Sequence, residues 1–224
     1  MSSACGRLGF APLADDGSTS SNSDGTRASD VLASNVVSFG ERPGATHSHV
    51  TADCGISGTQ PFMNFGAADT VAISTIEAGL LRFDVSALAP GTTIVAAEVH
   101  LASASNATDM MGLFDALESW TEGAGNASNG IANYTMRTST DAWSDPGANP
   151  PSSRGALIVG FTPAPTGADS AIAVDPARVQ GWIDNPAANN GMIVAPWLAT
   201  GNWSFVTREA TNAQLRPLLI VTLQ

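Results

Sequence analysis

Lysine is missing from this chain: all nine basic residues of the 224 are Arg, set against 20 acidic ones for a formal net charge of −11. Without an amine side chain there is no Schiff base, no pyridoxal phosphate anchor and no phosphate-loop lysine. The acidic balance argues against nucleic acid, whose phosphates are bound by clustered cations, and against an acidic membrane surface. Charged residues make up only 13% of the chain, where about 25% is usual. Histidine numbers three, and neither a Gly-x-Ser-x-Gly elbow nor a Cys-His pairing is present, so no acyl-transfer machinery is legible. No apolar stretch approaches the roughly 18 residues of a membrane span, and none reads as a secretory h-region.

Hydrophobic residues reach 43%, enough for a core, and 22 Gly with 13 Pro call for many turns. Period-two alternation dominates after residue 30. Leu81, Phe83 and Val85 alternate with Arg82 and Asp84, and Val95, Ala97, Val99 and Leu101 form an inward face opposite Glu98 and His100. Further strand-like runs are Asp69–Thr75, Met110–Leu117, Ala156–Phe161, Gly191–Ala195, Trp203–Arg208 and Leu215–Leu223. Pro90-Gly91, Pro146-Gly147, Asn149-Pro150-Pro151, Thr166-Gly167 and Asn189-Asn190-Gly191 separate them as turns. One short helix is expected, with Asp175 as N-cap, Pro176 at its first position, and Val179, Trp182 and Ile183 on one face. It should stop before Pro186. Trp182 reads as a core plug over one end of the fold. The pattern predicts an all-β, antiparallel jelly-roll β-sandwich with one short helix.

The segment from Ala14 to Asp30 contains almost nothing apolar and predicts a flexible N-terminal tether over residues 1–30, with the β-sandwich domain occupying 31–224. Ser3-Ala4-Cys5-Gly6 resembles the processed end of a bacterial lipoprotein signal, which would make Cys5 a lipidation site; an ordinary N-terminus with an incidental Cys fits equally. Cys54 is the other cysteine: a buried spare thiol, or the partner of Cys5 in a disulfide.

Leu80-Leu81-Arg82-Phe83-Asp84-Val85, then Pro90-Gly91-Thr92-Thr93-Ile94 and Ala97-Glu98-Val99-His100-Leu101, resemble the signature of DNRLRE domains. That group is related to archaeal disaggregatase and classed among carbohydrate-binding modules. Val179-Gln180-Gly181-Trp182, Asn189-Asn190-Gly191-Met192-Ile193, Thr207-Arg208-Glu209-Ala210 and Arg216-Pro217-Leu218-Leu219 follow in the family's order. Asn64-Phe65-Gly66 and Trp120-Thr121-Glu122-Gly123 resemble its Asn-aromatic-Gly element and its Trp-Glu loop. The resemblance spans about Thr46 to Leu223. It departs at Thr207, where Ser is usual, and at Val174-Asp175-Pro176. It implies a secreted or surface β-sandwich, usually non-catalytic, attached to polysaccharide-acting or cell-surface proteins.

Among candidate sites, Arg82, Asp84, Arg208 and Glu209 read as structural ion pairs, Arg82 with Glu209 or Asp84 with Arg208, if their strands are neighbours. His47, His49 and Asp53 are the weak metal candidates, since i and i+2 imidazoles project to one side of a strand. No cofactor is required on this reading, although structural Ca2+ suits such a sandwich. Tyr134, Arg137, Trp143, Trp197 and Trp203 lie in Gly/Pro/Asn-rich surroundings and are the candidate ligand residues, because sugar sites stack aromatic faces on pyranose CH surfaces beside oriented polar groups. The long Asn126–Arg154 segment is the most ligand-like stretch. Carboxylate pairs such as Glu118 and Glu122 could in principle do glycosidase work, but nothing in the sequence sets their separation and 20 acids give such pairs by chance.

Two functions follow. The first is a non-catalytic extracellular or outer-surface domain that binds a polysaccharide or cell-surface glycan, neutral in charge because an acidic domain repels polyanions. It predicts Trp143, Trp197 or Trp203 exposed on one concave face. The second is a structural or adhesive surface protein that contacts another protein or itself; the sequons at Asn106, Asn126, Asn133 and Asn202 suit an exposed surface.

Overall fold

The computed structural model describes residues 35–47, 51–198 and 200–224, with Thr51 described for its backbone alone. The tether over residues 1–30, Cys5 and His49 lie outside these residues.

Thirteen strands and one helix are present among the described residues. In chain order they are β1 (Val36–Gly40), β2 (Thr51–Ser57), β3 (Met63–Asn64), β4 (Thr70–Ile73), β5 (Glu77–Phe83), β6 (Ile94–Ala102) and β7 (Met111–Ala116). The second half adds β8 (Ser128–Asn129), β9 (Arg154–Phe161), β10 (Asp169–Val174), α1 (Pro176–Asp184), β11 (Met192–Pro196), β12 (Trp203–Val206) and β13 (Leu218–Leu223). Four strands form one sheet in the order β1-β13-β6-β10, and five form another in the order β2-β5-β11-β7-β9. Two-stranded ribbons, β12-β4 and β3-β8, complete the set, and every pairing between strands is antiparallel. The fold is all-β with one short helix, consistent with a β-sandwich. No helix among the described residues is long and apolar enough to cross a membrane.

The two large sheets share one core. Phe39, Val99, Leu101, Ile172, Leu219 and Val221 from the first meet Leu81, Phe83, Met111, Leu113, Met192 and Val194 from the second. The five-stranded sheet also buries its other face, where Cys54, Ile56, Leu80, Ile193 and Ala195 pack beneath Trp120, Ala132, Trp143 and Ala148 of the segment between β7 and β9. A sheet covered on both sides needs apolar residues at every position, not at alternate ones. That accounts for the unbroken runs Leu80-Leu81 and Met192–Ala195.

The helix forms where its start signals stand. Asp175 accepts the Ala177 N–H at 2.9 Å, and Val179, Trp182 and Ile183 enter the shared core, so Trp182 is the plug its spacing predicted. Val95 corrects the expected inward face of β6: it is 51% exposed while Ile94 is buried. The register explains this, since Thr222 pairs with Ala96 but Leu223 with Ile94, leaving Val95 as the extra residue of a bulge.

Candidate functional site

Residues more than 150 positions apart in the sequence converge on one polar cluster. Asp53 of β2, Glu122 of the loop after β7, and Arg208-Glu209 after β12 meet there. Arg208 is steered in by its neighbour: the Thr207 N–H donates to the Asp69 carbonyl at 3.1 Å and the Thr207 hydroxyl to that of Ala68 at 2.5 Å. The Glu122 loop is held by contact of backbone on backbone. A Cβ at Gly66 would lie 1.9 Å from the Gly123 carbonyl oxygen, and one at Gly123 would lie 1.7 Å from that of Ile131. Asn64 Oδ1 accepts the N–H groups of Gly66 and Gly125, while its Nδ2 donates to the Ala132 carbonyl at 2.9 Å. The Asn-aromatic-Gly element and the Trp-Glu-Gly loop are therefore two halves of one joint.

Within the cluster, Arg208 Nη2 donates to Glu122 Oε2 at 2.7 Å and Nε to Glu122 Oε1 at 3.1 Å. Arg208 Nε also lies 3.0 Å from Glu209 Oε1, and its Nη1 lies 3.4 Å from Glu41, which Arg216 approaches at 3.3 Å. Glu122 Oε1 accepts the Asp53 N–H, and Asp53 Oδ2 accepts the Arg208 N–H, both at 2.9 Å. Asp53 is 0% exposed. One carboxylate oxygen from each of Asp53, Glu122 and Glu209 lies within 4.8 Å of the other two. Burial pushes the Glu209 carboxyl up to about 7 against the pull of Arg208. It also raises Glu122, and lifts Asp53 well above the ordinary carboxylate range. Asp53 Oδ1 and Glu209 Oε2 are buried with no hydrogen-bond partner.

The ion pairing differs from the expectation. Glu209 and Glu122, not Asp84, take the Arg208 guanidinium, because Arg208 follows a strand paired to β4 and not to β5. Arg82 instead sits over the Trp120 ring at 5.0 Å and donates to the Trp120 carbonyl at 3.2 Å. Asp84 accepts the Ser86 N–H at 2.9 Å. His47 stacks on Phe39 with ring centroids 5.0 Å apart, so the structure groups Asp53 with two glutamates and places His47 against an aromatic ring. Cys54 is a buried free thiol. Burial pushes it up to about 12, and its Sγ accepts from Asn64 Nδ2 at 3.3 Å.

Two of the candidate platforms present no face to solvent. Trp143 is 3% exposed and Trp203 is 2% exposed; their indole N–H groups donate to the Asn133 carbonyl and to Ser103 Oγ respectively. Arg137 is engaged within its own loop, donating to Ser119 and Ala142 beside Glu118. Glu118 is tied down by Ser144 and Ser153, whose hydrogen bonds outweigh the effect of burial and hold its carboxyl below the usual range. It and Glu122 thus belong to separate structural networks.

Trp197 and Tyr134 have the opposite character. Trp197 is 43% exposed and lies against Gly160 of β9, where a Cβ would come within 2.3 Å of its ring. It follows Pro196, which lines a groove of about 130 Å³ together with Tyr134, Ile76, Glu77, Asn149 and Arg154. Arg154 is held over the Phe114 ring at 5.5 Å, donating to the Ala148 carbonyl and to Asn149 Oδ1. Glu77 accepts from Ser57 and Ser74.

No protein family and no curated protein matches the chain. Sequence reasoning left Glu41 out, reached Arg154 only as the end of the Asn126–Arg154 segment, and set Glu122 beside Glu118 and not beside Arg208. The signal available for Glu122 was its place in the Trp-Glu loop motif, which marks position but not the group it meets.

Proposed function

We propose that this chain is a non-catalytic domain of the DNRLRE kind, working outside the cell, that binds neutral polysaccharide in the groove between Tyr134, Asn149, Arg154 and Glu77 with Trp197 beside it. The observation that carries this reading is that groove, lined by Tyr134, Asn149, Arg154 and Glu77, with the exposed Trp197 next in the chain to its Pro196. Aromatic faces bury the CH surface of a pyranose, and a prearranged guanidinium, carboxamide and carboxylate orient its hydroxyls. A cavity of about 130 Å³ suits a single sugar unit of a longer chain. The sheet orders support a jelly roll: β1-β13-β6-β10 faces β5-β11-β7-β9, and from β5 onward these strands change sheet at each step except between β7 and β9. The motif order favours the DNRLRE group, and the acidic net charge favours neutral glycans over polyanions.

The test is affinity electrophoresis on a panel of neutral polysaccharides. Wild-type protein should be retarded by at least one. Trp197→Ala and Tyr134→Ala should each weaken binding about tenfold, or about 1.4 kcal/mol, with circular dichroism unchanged. Failure of the wild type to bind any neutral glycan overturns the proposal. A protein-contact function draws on Trp197 and Leu198, adjacent and both exposed. It predicts a concentration-dependent dimer in sedimentation that Leu198→Asp abolishes.

A further inference from the structure

We propose that Asp53, Glu122 and Glu209 form a Ca2+-binding site that joins β2 to the loop after β7 and the turn after β12. The arrangement has more acceptors than donors. Glu122 Oε1 already receives two N–H groups and its Oε2 receives one. Asp53 spends only Oδ2 and Glu209 only Oε1, on Arg208. Asp53 Oδ1 and Glu209 Oε2 are left buried and unpartnered, a state costing several kcal/mol for a charged oxygen unless a cation or a proton meets it. Among the described residues Arg208 is the one guanidinium hydrogen-bonded to these carboxylates; Arg82 bonds the Trp120 carbonyl and acts on Glu122 through its charge alone, and Arg216 bonds Glu41 and the Ala210 carbonyl.

The donor set selects the ion. It is oxygen only, which suits a hard cation over zinc or copper. One carboxylate oxygen from each residue lies within 4.8 Å of the others. Ca2+ accepts such a set at about 2.3–2.6 Å in flexible geometry, whereas Mg2+ demands near-ideal octahedral placing at about 2.0–2.1 Å. Glu122 and Glu209 keep part of their side chains exposed, so the ion has a way in and water can complete a coordination number of roughly six to eight. The site stands apart from the glycan groove, and each can fail without the other.

The experiment is calorimetric titration and thermal melting of the full chain, stripped with chelator and dialysed, with CaCl2 or MgCl2 at neutral pH. Ca2+ should bind with measurable heat and raise Tm by about 5 °C or more once it exceeds its dissociation constant about 100-fold, and Mg2+ should do less. Asp53→Asn, which keeps the shape of a protonated acid, should fold and lose the Ca2+-dependent shift. Glu209→Gln, at the more exposed ligand, should weaken it. The proposal is overturned if Ca2+ gives the wild type neither heat nor a shift in Tm, or if both variants keep the wild-type response.

Discussion

Gly66 and Gly123 show how a single missing methyl can decide a fold. Each packs against a carbonyl oxygen where a Cβ would sit less than 2 Å away, and backbone cannot move aside as a flexible side chain can. Gly66→Ala should therefore cost about 2–4 kcal/mol, read as a lower urea midpoint at unchanged slope. Trp143 makes a similar point from the apolar side. It fills the layer over the outer face of the five-stranded sheet and has its N–H satisfied at 2.9 Å. Trp143→Ala should lose about 3–5 kcal/mol by cavity formation, whereas Trp197→Ala at the exposed position should leave stability within about 0.5 kcal/mol. Equilibrium unfolding of the two variants separates an anchor from a platform.

At the scale of elements, local chemistry was enough for α1. Its cap, its proline and its apolar spacing all agree, and Asp175→Ala should cost about 1 kcal/mol in a thermal melt. The strands β4, β7, β9, β11, β12 and β13 were legible for a similar reason, as apolar runs bounded by turns. β2 and β10 were not. Thr51–Ser57 carries a buried Asp in its middle, and Asp169–Val174 buries Ser170, Ile172 and Val174 between two alanines, so its hydrophobic contrast is weak. Val95 failed differently. A bulge shifts every residue beyond it by one, and nothing in Ile94-Val95-Ala96-Ala97 marks which residue is the extra one.

The molecule as a whole carries a charge bracket across the outside of its four-stranded sheet. Arg42 follows β1, His100 belongs to β6 and Asp169 opens β10. Arg42 Nη1 and Nη2 each donate to Asp169 at 2.8 Å, and His100 Nδ1 lies 2.9 Å from the same carboxylate. Partial burial disfavours the Asp169 charge, but Arg42 and His100 outweigh it and hold the carboxyl at about 2. The hydrogen bond to Asp169 raises His100, against the opposing effect of burial. The signs are opposite for the two groups. Stabilisation from His100 is full below its ordinary range and is lost as pH rises through its elevated value. That from Asp169 is present above the ordinary Asp range and is lost as pH falls toward about 2. With allowance for solvent screening the Asp169 contribution is about 1 kcal/mol. Thermal melts across pH should show stability falling as pH rises above the ordinary histidine range, a fall that His100→Gln removes.

The amino-acid sequence alone determined that the body is built from antiparallel strands and where its helix begins and ends. Those depend on contacts between residues close in the chain: alternation, turn residues and a cap. Only the tertiary structure decided which tryptophans face water and which acids share a site. Trp143 belongs to the long segment between β7 and β9 and is pressed into the layer over the five-stranded sheet, whereas Trp197 follows β11 and stays partly exposed. Asp53, Glu122 and Glu209 come together because one sheet, a ribbon and a glycine joint bring distant segments to one point, and no local pattern records that meeting.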